Sequence, residues 1–227
     1  MSISISEIKQ LLIDKKVTNL YHANSVTTAI SFLQNEGLLS RGAVEDLGFS
    51  QTSQVTDQKD KELGIYYDIF FDSDDIHKRA KRINNYGPVT FVYSIDVLDI
   101  IDETKLRITK DNPIRWEETT RFEERYFTDI NEMRTLFVKG NFSQHITICD
   151  MRKLLTISPF LIKIIIDNPD IKDTKLFNEA YYAISEILSK KRINSLLEVR
   201  KCSNDCKCKK MYQACKSEHL FYKFKVK

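Results

Sequence analysis

The chain has 227 residues, of which 30% are charged and 42% hydrophobic, and its formal net charge at pH 7 is +3. This composition is typical of an ordered soluble protein and argues against intrinsic disorder. No apolar run approaches the ~20 residues that a membrane-spanning helix needs, and the first residues lack the pattern of a signal peptide. We therefore expect a cytoplasmic protein with no membrane partner.

Hydrophobic periodicity in the first part of the chain predicts alternating helices and strands. In chain order we predict a short amphipathic helix in 5–12, a strand at 19–24 (NLYHAN), a capped helix over 25–36, a polar loop from 41 to 63, and a strand at 64–71 (GIYYDIFF). Within the loop, the stretch 51–61 is typical of a mobile segment, and long loops in compact domains often act as lids.

The remainder of the chain continues this alternation. We predict a helix in 76–83, a strand at 89–98, a helix in 130–138, strands at 145–149 and 160–166, and a helix over 177–197. There is no internal repeat and no low-complexity tract.

Three short segments stand out because each places a polar or aromatic residue in or beside a predicted strand. They are LYHAN at 20–24, GIYY at 64–67 and SQHITI at 143–148. In this order they resemble the motifs of the ADP-ribosyltransferase superfamily of the His-Tyr-Glu type, which includes poly(ADP-ribose) polymerases and DarT-type enzymes. The resemblance covers residues 19–166. It implies an α+β fold with a split, mixed or antiparallel sheet, flanking helices and an NAD cleft.

The resemblance also assigns roles to individual residues. His22 would hydrogen-bond a ribose hydroxyl of NAD, Tyr66 would stack on the nicotinamide ring, and backbone groups around Ala23 would pair with the carboxamide. Asn24 and Tyr67 would complete the NAD-binding surface. Stacking on a flat ring is a natural role for tyrosine.

Gln144 occupies the third motif position, where the family carries a glutamate. A neutral amide still forms hydrogen bonds but lacks the negative charge that stabilises a developing cation, a loss comparable to ~3 kcal/mol. Three interpretations remain open. We favour an inactivating replacement of the catalytic glutamate; the others are a natural variant that uses another carboxylate (Glu118, Glu123 or Glu124) and a degenerate NAD-binding module.

Clusters of basic residues and cysteines provide two further signals. The basic cluster predicts contacts with the phosphates of a nucleic acid, and it comprises Lys78, Arg79, Lys81 and Arg82. The cysteine cluster offers four thiolates for a structural zinc ion, and it comprises Cys202, Cys206, Cys208 and Cys215. Reduced, metal-free cysteines are the competing interpretation, and His219 is an alternative ligand.

We expect an NAD-binding domain at 1–170 and a helical, cysteine-bearing extension at 171–227 packed on it. The function that the resemblance implies is transfer of ADP-ribose from NAD to a nucleic acid, with RNA favoured over DNA. A toxin of the CmdT type used in phage defence would in addition have an antitoxin partner and a chaperone. The alternatives are a protein-modifying ADP-ribosyltransferase and a non-catalytic binding module.

Overall fold

The computed structural model describes residues 3–169, 175–193, 196–214 and 221–226. Its strands are β1 Asn19–Asn24, β2 Gly37–Leu38, β3 Ile69–Phe71, β4 Val89–Ser94, β5 Leu106–Ile108, β6 Ile146–Ile148, β7 Leu155–Thr156, β8 Leu161–Ile166 and β9 Leu197–Val199. Its α-helices are α1 Ile5–Asp14, α2 Val26–Gln34, α3 Arg41–Asp46, α4 Asp57–Glu62, α5 Ile76–Ala80, α6 Phe122–Arg125, α7 Ile130–Leu136, α8 Lys175–Lys190 and α9 Cys208–Ala214. Short 3-10 helices lie at Ile95–Ile100 and Pro113–Arg115.

The strands form two main sheets and a short two-stranded one. The larger sheet has the order β1-β4-β8-β9, with antiparallel pairs except for the parallel pair of β8 and β9. The smaller sheet has the order β3-β6-β5 and is antiparallel throughout, and β2 pairs with β7. The prediction of a mixed helix-and-strand fold with antiparallel and mixed sheets is confirmed.

One backbone bridge joins the two main sheets. The amide of Tyr21 on β1 donates to the carbonyl oxygen of Asp72 at 3.0 Å, and the amide of Asp72 donates back at 2.8 Å. Asp72 directly follows β3, so β1 and β3 run side by side at this point only. Beyond the bridge the two sheets diverge, as in a split sheet.

Side-chain caps start the helices that flank the sheets. Ser4 and Glu7 form a reciprocal capping box at the start of α1, and Ser25 caps α2. Both helices bury one apolar face, and α8 packs on α2. Among the described helices, no segment combines the length and hydrophobicity needed to cross a membrane.

The main hydrophobic core is continuous from the N-terminal helix to the last described residues. It includes the apolar face of α8 and, further along the chain, Cys208, Tyr212 and Phe224. The strand β9, which the sequence analysis did not predict, begins at Leu197, the last residue of the predicted helix at 177–197, and extends the larger sheet. The division into domains at residue 170 stays a prediction.

Other segments also differ from their predicted structure: the strand predicted at 89–98 ends at Ser94, where a 3-10 helix follows. The polar stretch 41–63 contains α3 and α4, and α3 begins where Ser40 accepts a hydrogen bond from the amide of Ala43. The predicted strand at 64–71 is regular only from Ile69. Gly64 has a left-handed backbone with φ of 72°, so the chain turns before the strand begins, and Tyr66 lies in the following turn.

Candidate active site

A cavity of about 700 Å³ opens where the two main sheets diverge. Clefts of this size bind small molecules and nucleotide cofactors. Its wall combines the end of β1 and the start of α2 with loops around residues 51–56, 65–72, 82–86, 112–114 and 142–145, and with Lys223 from the C-terminal segment. The residues therefore come from both sheets.

His22 projects from β1 into this cavity and is fixed at both ring nitrogens. Nδ1 lies 2.8 Å from the carbonyl oxygen of Phe70, which can only accept, so Nδ1 carries the proton. Nε2 is then an acceptor, 3.2 Å from the side-chain amide nitrogen of Asn24. Burial lowers the pKa of His22, against the smaller opposing effects of Phe70 and Asp72. The ring is therefore neutral at pH 7, with a defined tautomer.

Tyr66 lines the cavity, whereas its neighbour Tyr67 does not. The hydroxyl of Tyr66 donates to Glu45 at 2.6 Å, and burial together with this bond raises the pKa of Tyr66. Tyr67 lies against α3, where its hydroxyl donates to Asp46 at 2.9 Å and its ring packs on Gly42. Of the two tyrosines in the GIYY motif, only the first faces the site.

Gln144 lies outside the cavity wall and supports the end of α7 instead. Its Oε1 accepts from the amide of Val138 at 2.9 Å, and its Nε2 donates to the carbonyl of Leu136 at 3.1 Å. The side chain is 4% exposed. Both halves of the amide therefore satisfy backbone groups at a helix end, a role that an amide fills and a carboxylate does not.

The next residue, His145, lines the cavity in its place. Its Nδ1 lies 3.2 Å from Oδ1 of Asp72, and the pair is largely buried. Its ring meets that of Phe70 edge-on, with centroids 5.9 Å apart. The third motif therefore contributes an imidazole and, through it, orients a carboxylate beside His22. The sequence analysis missed both residues.

Two further carboxyl groups line the cavity, and burial holds both towards the protonated form. It raises the pKa of Asp68 to about 7 and that of Asp60 to about 6. Asp68 also accepts a hydrogen bond from the amide of Asp150 at 2.9 Å. The glutamates considered from the sequence, Glu118, Glu123 and Glu124, are exposed and lie outside the cavity wall.

Arg41 contributes a guanidinium group with a free donor. Its Nε and Nη2 pair with Asp57, the latter at 2.7 Å, and Nη2 also donates to the carbonyl of Thr52 at 3.0 Å. Its Nη1 is buried and has no hydrogen-bond partner among the described residues. Oε1 of Gln51, on the same wall, is likewise without a partner in the described part of the chain. Both atoms are suited to bind a polar ligand.

The predicted nucleic-acid residues are divided between the cavity and the surface. Arg82 lines the cavity. Lys78 and Arg79 are exposed on α5, and Lys81 forms an ion pair with Asp205. Only one of the four basic residues therefore faces the site directly.

Three of the predicted zinc ligands lie together, with an unpredicted histidine beside them. Cys202, Cys206 and Cys208 converge on His77 of α5. Cys215 and the alternative ligand His219 lie outside the described residues. No local pattern in the sequence indicates His77, because it stands 125 positions before Cys202.

Comparisons with known proteins give one structural likeness to report. No protein-family model matches the chain, and no curated protein matches it. Among solved structures, Thermus sp. 2.9 DarT in complex with ADP-ribosylated ssDNA aligns over 84% of this chain and 95% of that chain, with 10% sequence identity and a TM-score of 0.48. At this level of similarity we derive the chemistry from the site residues alone.

Replacement of Gln144 by glutamate should destabilise the protein. A carboxylate would face the carbonyl of Leu136, and a buried hydrogen bond would be lost, at a cost of roughly 1–3 kcal/mol. Urea denaturation of Gln144→Glu measures this loss, and the exposed Gln34→Glu serves as the matched control, with a change within about 0.5 kcal/mol. Unchanged stability together with a gain of activity would favour the catalytic interpretation of this position.

The stability of the protein should also depend on pH through the protonation of Asp68. Because its pKa in the folded state is raised to about 7, the folded protein binds this proton more tightly than the unfolded chain. The contribution of Asp68 to the free energy of unfolding therefore falls as pH rises from about 4 to 7, by an amount on the order of 2–4 kcal/mol. Asp68→Asn should remove this slope, as measured by urea denaturation at pH 4.5 and 8. An equal change of stability with pH in the unmodified protein and in Asp68→Asn would contradict the raised pKa of Asp68.

Proposed function

We propose that this chain transfers ADP-ribose from NAD to a nucleic acid. The observation that carries the proposal is that His22 and Tyr66, from two separate sequence motifs, line one cavity of about 700 Å³. The third motif adds His145 and orients Asp72 at the same wall. A histidine, a tyrosine and a carboxylate around a nucleotide-sized cleft are the groups that this chemistry requires.

Three parts of NAD have a matching group in the cavity. The nicotinamide ring stacks on Tyr66, and a hydroxyl of the adjacent ribose donates to Nε2 of His22 in place of Asn24. Nη1 of Arg41, which has no hydrogen-bond partner among the described residues, donates to the pyrophosphate, because guanidinium N–H groups bind phosphate oxygens well. The neutral state of Asp68 and Asp60 at slightly acid pH limits repulsion of this anion.

The reaction breaks the bond between C1′ of this ribose and the nicotinamide nitrogen. The electron pair leaves with nicotinamide, which becomes neutral, and positive charge develops on C1′ and the ring oxygen of the ribose. Asp72 lines the cavity beside the strand that carries His22 and is oriented by His145, so its carboxylate is the group to which we assign the stabilisation of this charge. A nucleophilic atom of the acceptor then bonds to C1′ and releases its proton to water.

The acceptor in this proposal is a nucleic acid, with RNA favoured. Arg82 and Lys223 line the cavity, and Lys78 and Arg79 lie exposed on the nearby α5, so cations are available to bind phosphates. The preference for RNA follows the resemblance to CmdT-type toxins. A role as a toxin in phage defence, with an antitoxin and a chaperone as partners, belongs to the same proposal.

The two tyrosines of the GIYY motif provide a matched test of NAD binding. Tyr66→Ala should weaken NAD binding about 10-fold or more, since loss of a stacked ring costs about 1.4 kcal/mol or more. Tyr67→Ala removes a ring of the same size outside the cavity and should change the affinity less than about 2-fold. Isothermal titration calorimetry with NAD measures both. Equal losses in the two variants would contradict the assignment of Tyr66.

The transfer reaction tests the proposal as a whole. The chain is incubated with NAD labelled in the adenylate group and, separately, with RNA, single-stranded DNA and a mixture of proteins. We expect labelled RNA, and a loss of roughly 100-fold in rate in Asp72→Asn, because one electrostatic contact to the transition state is worth about this much. The control Asp74→Asn alters a neighbouring carboxylate outside the cavity wall and should keep the rate.

Each result decides between the alternatives. Label on protein alone would indicate a protein-modifying ADP-ribosyltransferase. Absence of both turnover and NAD binding would favour a non-catalytic binding module. Full activity in Asp72→Asn would refute the role of Asp72 and leave the transfer reaction itself intact.

A further inference from the structure

Four metal-ligating side chains meet on the face of α5 that carries His77. The ligand atoms of His77, Cys202, Cys206 and Cys208 all lie within 4.8 Å of one another. Nε2 of His77 lies 3.4 Å from Sγ of Cys206 and 3.7 Å from Sγ of Cys202, and Sγ of Cys202 lies 3.4 Å from Sγ of Cys208. A tetrahedron with zinc–sulfur bonds of ~2.3 Å has sulfur–sulfur edges of about 3.8 Å. The cluster thus has nearly the dimensions of a zinc site.

The other nitrogen of His77 is held as metal-binding histidines are usually held. Nδ1 lies 2.9 Å from Oδ2 of Asp167, and both side chains are 2% exposed. A carboxylate in this position fixes the ring orientation and leaves the lone pair of Nε2 directed towards the metal. Such a partner is retained in metal sites because it makes the imidazole a better ligand.

Asp167 is itself fixed by a buried network. Its Oδ1 pairs with Nε of Arg200, whose Nη1 donates to Asp75 at 2.6 Å. The hydroxyl of Tyr212 donates to Oδ2 of Asp167 at 3.3 Å. Asp75 also caps the helix that carries His77, since its side chain accepts from the amide of Lys78 at 3.3 Å. The orientation of His77 is therefore determined by residues from four separate parts of the chain.

We propose that His77, Cys202, Cys206 and Cys208 bind one structural zinc ion. Three sulfurs and one nitrogen fill the four tetrahedral positions and leave none open, which is typical of a structural rather than a catalytic zinc. This proposal gives the fourth position to His77, where the sequence analysis had placed Cys215. This site is independent of the proposed NAD chemistry.

The zinc ion would fasten the C-terminal segment to one wall of the cavity. Two further contacts join the same elements: the amide of Lys207 donates to the carbonyl of Lys81 at 2.8 Å, and Lys81 pairs with Asp205. Ile76 and Arg82, on either side of this attachment, line the cavity. Loss of the metal should therefore loosen this wall as well as the cysteine segment.

The test is the zinc content of the purified chain and of single variants, measured by elemental mass spectrometry after dialysis. We expect about one zinc ion per chain in the unmodified protein, in Cys215→Ser and in Cys149→Ser. His77→Ala and Cys206→Ser should lose most of the bound zinc, since each removes one of four ligands. Retention of zinc in His77→Ala together with its loss in Cys215→Ser would overturn the assignment.

His77→Cys is a control that separates loss of a zinc ligand from misfolding as the cause of zinc loss. It should keep about one zinc ion per chain, because four thiolates also form a closed tetrahedral site. With Co²⁺ in place of zinc, its absorption spectrum should differ from that of the unmodified chain, as one nitrogen ligand has become sulfur. Identical Co²⁺ spectra would exclude His77 as a ligand.

A second measurement separates the metal site from oxidised or free cysteines. Thiols are titrated in denaturant with and without a chelator, and thermal unfolding is followed under the same conditions. We expect every cysteine to titrate as a free thiol and the melting temperature to fall when the chelator removes zinc. Missing thiols would instead indicate a disulfide, and a melting temperature unchanged by removal of bound zinc would refute a structural role.

Discussion

The candidate site depends on the two backbone hydrogen bonds between Tyr21 and Asp72. They are the point at which the two main sheets touch, and they hold β1 beside β3. Because β1 lies there, the ring of the next residue, His22, reaches the carbonyl of Phe70 and gains its fixed tautomer. Because the sheets separate immediately afterwards, a cavity opens beside this ring. The contact is made by main-chain atoms, so any residue other than proline at either position keeps its donors and acceptors.

Burial determines the charge states of the ionisable groups in the cavity. Desolvation shifts the pKa of His22 downwards and the pKa values of Asp60 and Asp68 upwards, so all three groups are held towards their neutral forms. Arg41 pairs with Asp57 and keeps one buried N–H donor, Nη1, without a hydrogen-bond partner among the described residues. Such an interior repels an anionic ligand less than one in which both carboxyl groups are ionised.

The secondary-structure elements around the site are predicted better from the sequence than the side chains that line it. Strand β1, helix α2 and the segment around β6 follow from hydrophobic patterns, and His22 and Tyr66 were found from motif resemblance. In the third motif, the residue that lines the cavity is His145, whereas Gln144 lies outside the cavity wall. Adjacent residues at the entrance to a strand project in opposite directions, so a shift of one position along the chain exchanges a residue that faces the cavity for one that packs against the helix end.

Contacts between distant parts of the chain were beyond the reach of sequence patterns. His77 looked like an ordinary residue of a basic helix, because its partners Asp167 and Cys206 follow about a hundred residues later. Neither Asp72 nor Asp68 belongs to any of the three sequence motifs. Their relevance depends on burial and on neighbours that only the folded chain brings together, and burial of a single polar residue has no local signature.

The attachment of residues 221–226 to the start of α2 determines when the cavity wall forms during synthesis of the chain. The amide of Val26 donates to the carbonyl of Lys223 at 2.9 Å, and the hydroxyl of Thr27 donates to the carbonyl of Lys225, 198 positions away, at 2.8 Å. Contacts of such long sequence separation form late in folding. On the ribosome, the wall that contains Lys223 is still missing when His22 and Tyr66 have already emerged. A nascent chain therefore lacks a finished pocket until residues 221–226 have left the ribosome.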